Sequence, residues 1–249
     1  MSDPSSVRLV ESLPQPASGP PMQQAILGGG HYLAEEFRFL ASKVASLGTN
    51  RFTTIGIVSA GPDEGKTTVA MGLAAALARS SPHRVLLLEA DLRQPAIERY
   101  LGLPRTGGVA EFLAGRSSTI PVRTVSPPGF SVISAGRERL AHPELLGSPR
   151  MAALIGACQL SYGFMIVDCP PLDPVADAVA IQDLLDGFLL VVRARRAPRE
   201  AIERAVARLK PNRVQGIVFN DQPSILPRRY GYGPGTDKAF ARYGGSARR

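Results

Sequence analysis

The sequence predicts a doubly wound α/β protein on a mostly parallel sheet, and three observations carry that reading. Short β-rich runs alternate with helical stretches, the pattern of successive right-handed βαβ units. The strand runs are near-continuously apolar rather than alternating, as strands covered on both faces require. Of the 249 residues, 44% are hydrophobic and 20% charged, enough apolar material to bury such a sheet.

In chain order, residues 1–30 hold Pro4, Pro14, Pro16, Pro20, Pro21 and the run Gly28-Gly29-Gly30, and read as a disordered leader. From His31, the residues Leu33, Phe37, Leu40, Val44 and Leu47 recur at helical spacing, with Glu35, Glu36, Arg38 and Lys43 mostly on the outer side. Phe52–Ser59 reads as a strand and Thr67–Arg79 as an Ala/Leu helix; Arg84–Ala90 and Phe130–Ser134 read as strands. Pro143–Leu160 is a helix, Gly163–Asp168 a strand, Ala176–Leu185 a helix and Gly187–Val192 a strand. Pro198–Leu209 is the last helix and Val214–Asn220 the last strand. One domain over residues 31–221 results, followed by a flexible basic tail, 222–249, that carries Tyr and Gly.

Composition removes several classes. No apolar run approaches the roughly 20 residues of a membrane-spanning helix, and Met1-Ser-Asp-Pro lacks the basic-then-apolar layout of a secretory signal. Cys158 and Cys169 are the only cysteines and form no CxxC pair, which argues against a disulfide framework and a zinc site. The chain therefore reads as soluble and cytoplasmic. Its formal charge is +8, but much of the excess lies in the tail, where Arg228, Arg229, Lys238, Arg242, Arg248 and Arg249 face only Asp237. Trp is absent and aromatics make up 6%, so no base-stacking platform is visible and no nucleic-acid partner is expected.

The sharpest local signal is Ser59-Ala-Gly-Pro-Asp-Glu-Gly-Lys-Thr-Thr68, between a predicted strand and a predicted helix. From Ala60 it fits the phosphate-loop pattern of P-loop NTPases, whose backbone N–H groups converge on phosphates at a helix N-terminus. Gly61, Pro62, Asp63, Glu64, Gly65, Lys66, Thr67 and Thr68 form the expected nucleotide cradle. Within it Gly65 lets the backbone approach, Lys66 reaches the β- and γ-phosphates, and Thr67 ligates Mg²⁺. Two strand ends add carboxylates, Glu89 and Asp91 after one and Asp168 after the other. In a parallel sheet these ends share the edge where ligands bind. Such carboxylates serve a metal's water shell, orient a nucleophile or accept its proton.

Taken together these motifs resemble the bacterial tyrosine kinases that regulate capsular and exopolysaccharide assembly. Glu89-Ala-Asp91-Leu-Arg93 is similar to that family's second Walker motif, and Tyr162-Gly-Phe-Met-Ile-Val-Asp168-Cys-Pro-Pro171 to its Walker B strand. Asp177-Ala178, His142–Met151 and Gly216–Asn220 also match in order, so the resemblance covers about residues 33–221. It implies MgATP-dependent autophosphorylation on tyrosine by a protein-tyrosine kinase. Lys66, Glu89, Asp91 and Arg93 are then the catalytic set, Thr67, Asp91 and Asp168 the magnesium ligands, and Asn220 joins the nucleotide site. Tyr230, Tyr232 and Tyr243 become phosphoacceptors. The resemblance further implies a homo-oligomer, in some members a ring. It also implies recruitment to the inner face of the plasma membrane by a separate polysaccharide co-polymerase with an activating cytoplasmic tail.

Three departures stand out: Glu89 replaces the usual Asp, Asp63 replaces a usual Gly, and Glu35-x-x-Arg38-x-x-Ala41 lacks the last Arg of the family's oligomerisation helix. The first two leave room for a nucleotide-binding pseudokinase that regulates a co-polymerase. A ParA/MinD-type ATPase is the other alternative, although Gly61 stands where those proteins place an early lysine.

Overall fold

The computed structural model describes residues 7–12, 32–47, 52–138 and 143–221. Among these the chain forms strand β1 (Arg8–Glu11), helix α1 (Tyr32–Leu47), β2 (Thr53–Ser59), α2 (Lys66–Ser80), β3 (Val85–Glu89), α3 (Ile97–Leu101) and α4 (Val109–Leu113). There follow β4 (Thr119–Val125), β5 (Phe130–Ile133), a 3-10 turn (Pro143–Gly147), α5 (Pro149–Gln159) and β6 (Phe164–Asp168). The order closes with α6 (Asp177–Ala180), a second 3-10 turn (Gln182–Leu184), β7 (Gly187–Arg193), α7 (Arg199–Val206) and β8 (Val214–Asn220).

The strands make one 8-stranded sheet in the order β1-β4-β5-β3-β6-β2-β7-β8. Every neighbouring pair is parallel except β4 with β5. The central strands β2, β3 and β6 are buried along their whole length, which is why their sequences carry no alternation. At the edge, β8 does alternate, leaving Ile217 and Phe219 exposed on one side. Two apolar cores flank the sheet. One gathers α1, α2 and the strand residues facing them; the other gathers Phe112, Met151, Leu154 and Phe188 on the opposite face. Helices α1 and α2 approach so closely that a Cβ on Gly72 would lie 2.2 Å from the Phe37 ring.

Four features differ from the sequence reading. Residues 8–11, assigned to the disordered leader, form β1 on the edge of β4, and an ion pair from Arg84 to Glu11 fastens it. The buried stripe of α1 is Ala34, Phe37, Ala41 and Val44, while Leu33 and Leu47 of the expected stripe are exposed. The expected helix 143–160 is broken, because Ser148 caps a new start: its Oγ accepts the Met151 N–H with Pro149 in the first turn. The expected helix 176–185 is a single turn followed by a 3-10 turn. Strand β4 and the short helices α3 and α4 complete the sheet's far side.

Register positions the site. Ile57 of β2 and Glu89 of β3 both pair with Asp168 of β6, so β3 and β6 finish level and β2 runs on to Ser59 beside them. Beyond them lie the phosphate loop, the 90–96 segment and the 169–176 segment, all at the carboxyl edge.

Candidate functional site

The loop between β2 and α2 is held in shape by its own side chains and by β7 and β8. Glu64 is buried; its Oε1 accepts the Gly61 N–H at 2.7 Å and its Oε2 the Arg193 N–H at 3.1 Å. Gly65 sits at φ 93, where a side chain is strained, and an added Cβ would lie 2.0 Å from Asn220 Nδ2. That amide nitrogen donates to the Glu64 carbonyl at 2.8 Å. Asp63, at φ 57, adopts a left-handed conformation that Asp tolerates better than most residues. Its carboxylate pairs with Arg196 at 3.4 Å and its carbonyl accepts from Arg193 at 3.2 Å. Arg193 is in turn paired with Asp221. The charge that Asp63 brings to the loop is therefore met by Arg196, while Arg193 holds the loop through its backbone.

Lys66 opens α2 and is buried. Next to it, Thr67 Oγ1 donates to Asp168 Oδ2 at 2.7 Å, across the gap between α2 and β6. Asp168 is 1% exposed, and its Oδ1 is buried with no hydrogen-bond partner. Burial pushes its carboxyl up to about 7; neighbouring Glu89 adds to the rise, while the Thr67 hydroxyl and Lys66 oppose it. Buried polar oxygens are seldom left unpartnered, so this one marks where a ligand atom belongs. Among the described residues no group of three or more His, Cys, Asp or Glu could hold a metal. Magnesium needs less, because it binds through one or two carboxylates plus substrate phosphates and water. Thr67 and Asp168 beside a phosphate loop fit that requirement.

The two carboxylates after β3 go separate ways. Asp91 lines the cleft, with its Oδ1 accepting the Gln94 N–H at 3.0 Å. Its backbone N–H and that of Ala90 both donate to the Asp168 carbonyl, at 3.1 and 2.9 Å. Glu89, expected in the catalytic set, is instead 1% exposed and turned into the protein. Its Oε1 accepts from Ala96 and Ile97 at 2.5 and 2.7 Å, and its Oε2 from Ala135 at 3.0 Å. Burial raises its pKa and the three amides pull it back. This is a carboxylate that holds backbone at the start of α3, not one aimed at a nucleotide. Arg93 lines the cleft and pairs with Asp177 of α6, Nε to Oδ2 at 2.7 Å and Nη2 to Oδ1 at 3.1 Å.

These groups surround a cleft of about 1210 Å³ whose wall includes Pro62, Asp63, Gly65, Lys66, Thr67, Thr68, Asp91, Arg93 and Asn220. Pro170 and Pro171 after β6, and Arg99 and Tyr100 of α3, complete its sides. Tyr230, Tyr232 and Tyr243 lie outside the described residues. Sequence reasoning missed the roles of Asp177 and Arg193. Both sit at or just beyond the carboxyl edge of the sheet, and that position was the available signal.

A family model, ATPase MipZ, matches residues 57–186. The succinoglycan biosynthesis transport protein ExoP of Rhizobium meliloti is 34% identical over 76% of this chain, which covers 25% of that protein. The chain thus spans about a quarter of the length of the first curated relatives it matches. The tyrosine-protein kinase YwqD of Bacillus subtilis is 29% identical, with 80% of this chain and 85% of the relative aligned. Among solved structures, the kinase domain of the Escherichia coli tyrosine kinase ETK superposes with a TM-score of 0.72 at 26% identity, covering 85% of this chain and 84% of that one. The septum site-determining protein MinD of Pyrococcus horikoshii, at TM-score 0.55 and 21% identity over 68% of this chain and 69% of its own, shares the fold.

Proposed function

The chain belongs to the bacterial tyrosine-kinase family of P-loop ATPases, and from that premise we propose that it is an MgATP-dependent protein-tyrosine autokinase serving exopolysaccharide or capsule synthesis. One observation supports this above the others. The adjacent pair Lys66 and Thr67 shares one cleft with Asp91, remote from them in sequence, and Asp168 with its unpartnered Oδ1 lies against Thr67. In this reading the loop from Gly61 to Thr68 binds the triphosphate through backbone N–H groups, and Asn220 shapes it through the Glu64 carbonyl. Lys66 offsets charge on the phosphates, and Asp91 orients the incoming tyrosine hydroxyl and takes its proton. Thr67 and Asp168, with Asp91, hold magnesium, which when bound neutralises charge on the β- and γ-phosphate oxygens.

The acceptors are Tyr230, Tyr232 and Tyr243 in the basic tail, 222–249, which follows a kinase domain over 31–221. No helix among the described residues is long and apolar enough to cross a membrane. In this reading a polysaccharide co-polymerase with a cytoplasmic tail recruits the kinase to the inner face of the plasma membrane. Self-association brings one subunit's tail to another's cleft. The test is a phosphotyrosine blot after incubation with MgATP. Wild type gives signal, Lys66→Met gives none, and the triple Tyr230, Tyr232, Tyr243→Phe variant loses most of it. Equal signal from wild type and Lys66→Met overturns the reading.

The withdrawal of Glu89 from the cleft favours a second reading, a nucleotide-binding regulator without transfer. Labelled MgATP separates the two, since a regulator retains nucleotide and labels no tyrosine.

A further inference from the structure

We propose that Asp177 is a positioning residue whose ion pair with Arg93 clamps the two segments that carry Asp91 and Asp168. The inference rests on the phosphotransfer reading above. It assigns Arg93 to the clamp rather than to contact with substrate.

The segment after β6 is anchored at three points. Leu172 and Asp173 donate their N–H groups to the carbonyls of Ser59 and Ala60, at 2.8 and 3.0 Å, where β2 gives way to the phosphate loop. From the opposite side Arg208 donates to the Leu172 carbonyl at 2.6 Å and pairs with Asp173 at 3.4 Å. The third anchor is Asp177, whose side chain is 5% exposed and fully engaged by the Arg93 fork. Through it the segment that begins at Asp168 and is stitched to the phosphate loop also grips the segment that carries Asp91.

Asp91 needs such a grip. Its own backbone is tied to the Asp168 carbonyl, but β3 has already ended at Glu89 and α3 does not begin until Ile97. Between them lies irregular chain, 90–96, held at its far end by Glu89 and in its middle by the Arg93 pair. A planar guanidinium bound through two N–H groups along one edge fixes orientation as well as distance, which a lysine in the same place does not. Reacting groups must be placed to within a fraction of an ångström, so slack at Arg93 reaches the chemistry through Asp91.

The test uses the purified full chain and the variants Asp177→Asn, Arg93→Lys and the double Asp177→Ala/Arg93→Ala. Hydrogen exchange is measured without nucleotide. Affinity is measured with a fluorescent ATP analogue plus magnesium, and kcat and KM with a tyrosine peptide. In Asp177→Asn and Arg93→Lys the Gln94 amide, bonded to Asp91, exchanges faster while the β2 and β6 amides stay protected. In both, kcat falls about tenfold to a hundredfold and affinity for the analogue stays within about twofold. The double variant is no worse than either single, as members of one interaction require. Unchanged exchange at Gln94 in Asp177→Asn overturns the clamp. So does a double variant whose losses add, which would give Arg93 a contact of its own, and so does affinity falling in step with kcat. If Asp177→Asn loses protection in β2 and β6 as well, Arg93→Lys decides alone. If wild type labels no tyrosine, the kinase reading fails, and exchange and affinity still judge the clamp.

Discussion

Replacing Asp168 by Asn is expected to stabilise the nucleotide-free protein at alkaline pH while abolishing phosphotransfer. The carboxyl is 1% exposed and burial raises it from 3.8 to about 7. In the unfolded chain the group ionises near its ordinary value; in the fold it keeps its proton to about 7. Its contribution is therefore complete below the unfolded value and is lost as pH rises through the folded one. Across that window stability falls by about 1.4 kcal/mol per pH unit, roughly 4 kcal/mol in all. Asn accepts the Thr67 hydroxyl in the same way and carries no charge, so its ramp is flat.

The assay is thermal unfolding of both proteins in chelator from pH 4 to pH 8, read as the difference between them so that all other titrating groups cancel. For a chain of this size about 1 kcal/mol moves Tm by roughly 2–4 °C, so the Asn variant should gain on the order of 10 °C over wild type across the window. A flat difference curve would refute the burial argument, and one that favours wild type at pH 8 would reverse its sign. Adding MgATP should raise Tm of wild type far more than that of the variant, because the ionised carboxylate is the form that holds the cation.

Two further substitutions probe the frame around the cleft. Gly65→Ala forces a side chain to φ 93 and into Asn220, at about 1–2 kcal/mol for the left-handed backbone and about 1 kcal/mol for the Asn220 bond to Glu64. Calorimetry should show ATP affinity reduced at least about tenfold, and unaltered affinity would mean the loop does not cradle phosphate. Glu89→Ala orphans the amides of Ala96, Ile97 and Ala135, each costing about 1–3 kcal/mol, so Tm should drop steeply and Glu89→Gln should drop it less. If Glu89→Ala keeps its Tm and loses only phosphotransfer, Glu89 returns to the catalytic set.

Glu89 also shows where sequence stops being legible. The buried strands are readable because both faces are covered and the whole run must be apolar. The phosphate loop is readable because its chemistry demands Gly65, Lys66 and Thr67 in fixed succession. Strand β4 is not: it pairs antiparallel at the side of the sheet, and its burial pattern is mixed. Strand β1 is less so, since four mostly exposed residues gain their structure from β4 and Arg84 rather than from their own pattern.

Glu89 and Asp91, two apart, would share a face if the strand continued past them. It ends at Glu89, so the alternation fails at that point. One carboxylate turns inward to the amides of α3 and Ala135 while the other stays at the cleft. The longer side chain, which in sequence reads as a catalytic group displaced by one methylene, has the reach to bridge Ala96 and Ile97 on one side and Ala135 on the other. That bridge seats α3, whose Arg99 and Tyr100 wall the cleft. Asp91 and Asp168 are then the acidic groups left for chemistry at this edge. Glu89, though close enough to raise Asp168, acts on it through the field and on the cleft through backbone.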